Sequence, residues 1–139
     1  MQNPATAAIP TYRLHLLRAL YLLIAVGQGS LQWPKLVHHP ASWDLWHGVG
    51  VCMLAALAAL ALLGIRYPLQ MLPLLLYELA WKSMWMLSVA VPLWLDHRTS
   101  AEIAENVFAI GLGVVLCPLV VPWGYVLANY VRRPGDRWK

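Results

Sequence analysis

Long apolar runs, separated by short polar stretches, set the pattern of this chain. Four runs cover residues 12–33, 46–65, 68–94 and 106–130. Each is about as long as the ~20 residues that a helix needs to cross a bilayer. Because backbone groups in lipid must be paired within their own segment, the runs are predicted to be helices.

The predicted fold is an all-α, four-helix transmembrane bundle with short loops, formed by a single domain of 139 residues. The composition agrees with this fold. Hydrophobic residues make up 60% of the chain and charged residues 12%, whereas a soluble domain carries about 25% charged residues. The lipid bilayer is therefore the expected partner, and the protein is expected to be integral to the membrane.

Basic residues collect at alternate ends of the runs, which predicts an orientation. Two lie in the first and third loops, Lys35 and Arg98. The N-terminus, the second loop and the C-terminus hold seven: Arg13, Arg18, Arg66, Arg132, Arg133, Arg137 and Lys139. The positive-inside rule places both termini in the cytoplasm. Orientation explains the net charge of +4, so no nucleic-acid partner is expected.

Two charged residues lie deep inside the third run. Glu78 and Lys82 are four residues apart, and this spacing puts them on one face of a helix. At ~1.5 Å per residue they lie ~15 and ~21 Å from Pro68, inside a hydrocarbon layer ~30 Å thick. Charges at that depth are costly and typically serve function. Their face is therefore predicted to point into the bundle.

Other side chains are predicted to complete a polar site around this pair. Tyr77, Trp81 and Trp85 in the same run would form an apolar, aromatic wall. Gln28 from the first run, with Glu105 and Asn106 from the start of the fourth, would add polar groups at similar depth. The convergence of several runs on one level predicts a pocket open to the outer side.

The histidines are weak candidates for metal binding. Four of them fall in or beside the two outer loops: His38, His39, His47 and His97. Their spacing matches no familiar metal site, so no metal and no cofactor are expected. A stripe of small residues along the second run (Gly48, Cys52, Ala55 and Ala59) is of the kind that lets helices approach closely. It would serve packing within the chain or in a homo-oligomer.

Four stretches of the sequence carry a resemblance to known proteins: residues 66–73 (RYPLQMLP), 77–82 (YELAWK) and 122–125 (PWGY), and the tail RPGDRW. In these stretches the chain resembles small four-span bacterial inner-membrane proteins of no assigned function. The resemblance implies a bacterial inner-membrane location and carries no activity. Size and span count also resemble the small multidrug-resistance exporters. Those proteins have an essential glutamate in their first span, where this chain has no acidic residue, so that identification is rejected.

Three hypotheses for function follow from these features. The first is a protein that binds or transports a small or lipophilic ligand, with Glu78 and Lys82 as polar anchors. The second is a membrane enzyme in which Glu78 acts as general acid or base on a lipid-soluble substrate. The third is a structural or accessory subunit of a membrane complex, in which the pair only fixes helix packing.

Overall fold

The computed structural model describes residues 9–38 and 43–135. All regular structure in these residues is helical. The four long helices are α1 (Thr11–Val37), α2 (Leu45–Arg66), α3 (Leu72–Leu95) and α4 (Ala101–Val120). A short helix, α5 (Trp123–Val126), follows and continues into a π-helical segment, Leu127–Val131.

Within the described ranges, α1 to α4 are long and apolar enough to cross a membrane. The predicted all-α class with four membrane-length helices is confirmed, and these helices are consistent with an integral membrane protein. The orientation of the termini stays a prediction.

Prolines and one serine define several helix ends. Pro10 precedes α1 in extended conformation, and Pro73 lies in the first turn of α3, where its missing N–H costs nothing. The Ser100 hydroxyl caps α4 by accepting a hydrogen bond from the Ile103 N–H at 3.3 Å. Within α3, residues Met86–Ala90 form a π-helical segment just before Pro92. Pro92 cannot donate a backbone hydrogen bond to the preceding turn.

The third and fourth helices differ from the sequence-based bounds. Residues 68–71 form a turn, so α3 begins at Leu72 rather than at Pro68. The fourth helix begins at Ala101, earlier than residue 106, because the Ser100 cap adds a polar first turn. It ends at Val120, since Val121 precedes a proline and takes an extended conformation. The run 106–130 is thus two helical pieces rather than one.

Helices α1 and α2 are antiparallel and pack closely through small residues of α2. The Tyr21 ring lies directly on Gly64, where an ideal Cβ would be 2.5 Å from the ring Cγ. Farther along, Gly29 faces Ala58. The buried stripe of α2 is Val51, Ala55, Ala58, Ala61 and Gly64. Of the predicted stripe, Ala55 belongs to this buried stripe, Gly48 and Ala59 are half-buried, and Cys52 is exposed. A role of the stripe in a homo-oligomer stays a prediction.

The hydrophobic core lies toward one end of the bundle. It combines residues of all four long helices, including Leu17, Tyr21, Ala61, Leu75 and Cys117. The start of α1, the turn between α2 and α3 and the C-terminal part meet at this end. The Tyr130 hydroxyl donates to the Leu69 carbonyl at 3.4 Å, and Arg13 shares a groove with Tyr125.

Candidate functional site

The site is built on two successive turns of α3. The Glu78 Oε1 lies 2.7 Å from the Lys82 Nζ. Glu78 is 0% exposed and Lys82 is 7% exposed. The order along the helix, with the glutamate four residues before the lysine, is the favourable one for such a pair. The two charges therefore compensate each other in a buried position.

Trp81 completes the polar contacts of the pair. Its Nε1–H donates a hydrogen bond of 2.6 Å to the Glu78 Oε2. The Lys82 Nζ lies 5.7 Å from the centroid of the Trp81 ring, within the range of a cation–π contact. Glu78 Oε1 is different. It contacts Lys82 as an ion pair but receives no aligned hydrogen bond from any described residue. Among the described residues, this buried carboxylate oxygen is thus held by the ion pair with Lys82.

A cavity of about 260 Å³ lies beside the pair, between α1, α3 and α4. Its charged lining residues are Glu78 and Lys82, and Gln28 adds an amide group. The rest of the lining is mainly apolar and includes Leu20, Leu31, Phe108, Leu112 and Leu116. The site is therefore a mostly apolar pocket with a few polar groups, which is the usual composition of a small-molecule site.

Helix α4 bounds the cavity with small residues. Gly113 lies against the Lys82 side chain, and Cys117 is buried beside the same cavity. An ideal Cβ at Gly113 would be 2.8 Å from the Lys82 Cδ. A side chain at position 113 would thus force Lys82 to move from its present position beside Glu78. These small residues of α4 therefore form one wall of the site.

The structure brings together only part of the predicted set. Gln28 lines the cavity with Glu78 and Lys82, and Trp81 contacts the pair. Tyr77 is 46% exposed on another face of α3, and Trp85 is not part of the lining. Glu105 and Asn106 are exposed outside the cavity. The Asn106 amide donates to the Glu102 carbonyl of its own helix.

One buried polar residue was missed by sequence reasoning. Gln32 is only 7% exposed, and its Nε2 donates to the Gln28 Oε1 at 3.4 Å. The signal was present in the sequence, because the two glutamines are four residues apart and must share a face of α1. This link orients Gln28, which reaches the cavity.

The described outer-loop histidines lie apart from this site. His38, His47 and His97 are exposed, and the His47 ring contacts Trp43 edge-on at 5.4 Å. His39 lies outside the described residues. Across residues 9–38 and 43–135, no three His, Cys, Asp or Glu side chains form a group that could hold a metal ion. The buried pair and its cavity are therefore the strongest candidate site.

Comparison of the chain with protein-family models, curated proteins and solved structures gave no match. The resemblance to small four-span inner-membrane proteins stays a prediction. The function must accordingly be argued from the chemistry of Glu78, Lys82 and the cavity beside them.

Proposed function

We propose that this integral membrane protein binds or transports a small or lipophilic ligand in the cavity beside Glu78 and Lys82. The observation that carries the proposal is a buried ion pair lining a mostly apolar cavity of about 260 Å³. The pair would anchor the polar part of the ligand, and the leucines around it would contact the apolar part.

The energetic cost of the pair supports this proposal. Charged residues at the centre of a membrane helix cost about 2.5–3.5 kcal/mol each on insertion scales. A tightly packed apolar contact would hold α3 against α4 without that cost. Two charges beside open space, rather than in a filled core, are better explained by a ligand that uses them.

A structural role is the second candidate, and one contact favours it. Lys82 packs on Gly113 of α4 while it pairs with Glu78. This arrangement would fix the register of α3 against α4 even if nothing entered the cavity. A buried polar pair that specifies register is a known use of such residues.

We further propose that both termini are cytoplasmic and that the membrane is a bacterial inner membrane. The support is the position of the described arginines. Arg13, Arg66 and Arg132 lie at or near helix ends on the side of the termini, and Arg98 follows α3 on the other side. Fusions of green fluorescent protein and of alkaline phosphatase to each terminus test this. Fluorescence without phosphatase activity at both ends is expected, and active phosphatase at either end would contradict the orientation.

Native mass spectrometry of the protein released from its membrane tests the ligand proposal. The wild-type protein is expected to carry a bound mass that Glu78→Gln loses. Glu105→Gln is the matched control, because Glu105 is exposed and lies outside the cavity. Retention of the bound mass by Glu105→Gln and its loss from Glu78→Gln would support binding. Identical bound masses in all three proteins, or none in the wild type, would leave the structural role as the better explanation.

A further inference from the structure

We infer that the ligand is a single-chain amphiphile with an uncharged, hydrogen-bonding head group, and that it enters sideways from the bilayer between α1 and α4. This inference rests on the proposed function and adds the ligand class and the route. It follows from the rim of the cavity, its size, the charge balance inside it and the amide of Gln28 on its lining.

The cavity opens on the side of the bundle. Its lining includes Leu23 of α1 together with Phe108 and Leu112 of α4, all of which are exposed; Phe108 is 73% exposed. Large apolar side chains on the outside of a membrane-length helix face hydrocarbon rather than water. An entering molecule therefore comes from the acyl-chain layer.

The size of the cavity limits the ligand. Pockets for drug-sized molecules measure about 300–1,000 Å³, and this cavity, at about 260 Å³, lies just below that range. It has room for a small head group and part of one chain. A bulky polycyclic compound would not fit, and the remainder of a long chain would extend through the side opening into lipid.

The charge balance selects an uncharged head group. Glu78 and Lys82 neutralise each other at 2.7 Å. A third charge beside them would be buried without a partner, which is strongly unfavourable in an apolar environment. The Glu78 Oε1 lacks an aligned donor among the described residues. The Gln28 amide on the same lining can donate to a hydroxyl oxygen without adding a charge to the site.

Gly27 offers a way to block the opening without touching the ion pair. It lines the cavity on α1, and an ideal Cβ there would meet nothing within 4 Å. Leucine at this position would occupy the space that the ligand needs. Gly50 of α2 gives a matched control. A Cβ there also meets nothing within 4 Å, and Gly50 is not part of the cavity lining.

The test is equilibrium binding of tritiated dodecanol to the full-length protein in lipid nanodiscs, corrected with empty nanodiscs. Saturable binding is expected to the wild type and to Gly50→Leu. Gly27→Leu is expected to weaken it at least about tenfold, and Gly27→Ala by less. Dodecyltrimethylammonium and dodecanesulfonate, which carry permanent charges on the same chain, should compete at least about tenfold more weakly than unlabelled dodecanol.

Three results would overturn the inference. They are the absence of saturable dodecanol binding to the wild type, equal competition by the charged chains, and unchanged affinity in both Gly27 variants. These failures are distinct from failure of the proposed function. If Glu78→Gln loses the native bound mass while Gly27→Leu keeps it, binding at the ion pair stands and the side entrance is wrong.

Discussion

Gly113 of α4 lies so close to Lys82 of α3 that a side chain at position 113 would force the lysine out of its present conformation beside Glu78. An ideal Cβ at Gly113 would be 2.8 Å from the Lys82 Cδ and 3.1 Å from its Cε. The terminal amine could swing away, but Cδ lies nearer the backbone and has less freedom. The contact therefore couples the packing of α4 to the geometry of the ion pair.

Gly113→Ala is expected to displace Lys82 from Glu78 and to destabilise the protein by about 1–3 kcal/mol, as is usual for an overpacked contact. Unfolding of the purified protein in detergent measures this. Gly111→Ala is the matched control, because a Cβ there would make only an ordinary contact of 3.9 Å with Met86. Equal stability of the two variants would show that the Lys82 contact is not restrictive.

Removing one partner of the buried pair is expected to lower the free energy of unfolding more than removing both partners. Glu78→Gln or Lys82→Met leaves a buried charge without its partner, at a cost of about 3–5 kcal/mol. The double variant Glu78→Gln/Lys82→Met buries no charge and should recover most of that loss. Unfolding measurements on the four proteins form a double-mutant cycle. Additive losses in the double variant would contradict a direct pairing.

The same cycle separates the ligand site from a purely structural pair. If the pair only fixes packing, the double variant regains both stability and any bound molecule. If the pair holds a ligand, the double variant regains stability and still lacks the native bound mass. The two readouts together decide between the two candidate functions.

The sequence predicted the helices well because their signal is local. Apolar run length alone locates α1 and α2 to within a few residues, and the spacing of Glu78 and Lys82 alone places them on one face. The fourth helix was less well predicted. Its beginning depends on the Ser100 cap and its end on the backbone before Pro122. Both effects depend on single residues that hardly change the average hydropathy of the run.

It was harder to predict which residues belong to the site, because this depends on how one helix is rotated and shifted against another. Gly113 lies opposite Lys82, and at ~1.5 Å per residue Glu105 is ~12 Å farther along α4. Glu105 was predicted to belong to the site because Glu105 and Lys82 were expected at a similar depth. The structure instead places Glu105 outside the cavity. Sequence spacing within a helix carries no information on this offset.

Loss of the helix cap is expected to weaken α4. Ser100→Ala removes the oxygen that accepts from the Ile103 N–H, and such changes cost about 0.5–2 kcal/mol. Ser100→Asp retains an acceptor and should keep most of the stability. Thermal unfolding of the two variants beside the wild type provides the measurement. A loss as large in Ser100→Asp as in Ser100→Ala would mean that the hydroxyl acts through another contact.

The contact of Tyr21 with Gly64 gives a last prediction. It distinguishes the contribution of the tyrosine ring to stability from that of its hydroxyl hydrogen bond. Tyr21 is fully buried, and its hydroxyl donates to the Pro68 carbonyl at 3.0 Å. Gly64→Ala puts a methyl group into the ring, so α1 and α2 must separate at an estimated cost of about 1–3 kcal/mol. Tyr21→Phe keeps the ring and loses the hydrogen bond, at a cost of about 0.5–1.5 kcal/mol.

Combining these changes tests whether the Tyr21 ring is the reason that Gly64→Ala destabilises the protein. Tyr21→Ala makes room for a methyl group at position 64, so Gly64→Ala should cost little in that background, whereas it should keep its full cost in the Tyr21→Phe background. Unfolding free energies of the single and double variants give both coupling energies. The same cost of Gly64→Ala in all three backgrounds would show that something other than the Tyr21 ring requires glycine at this position.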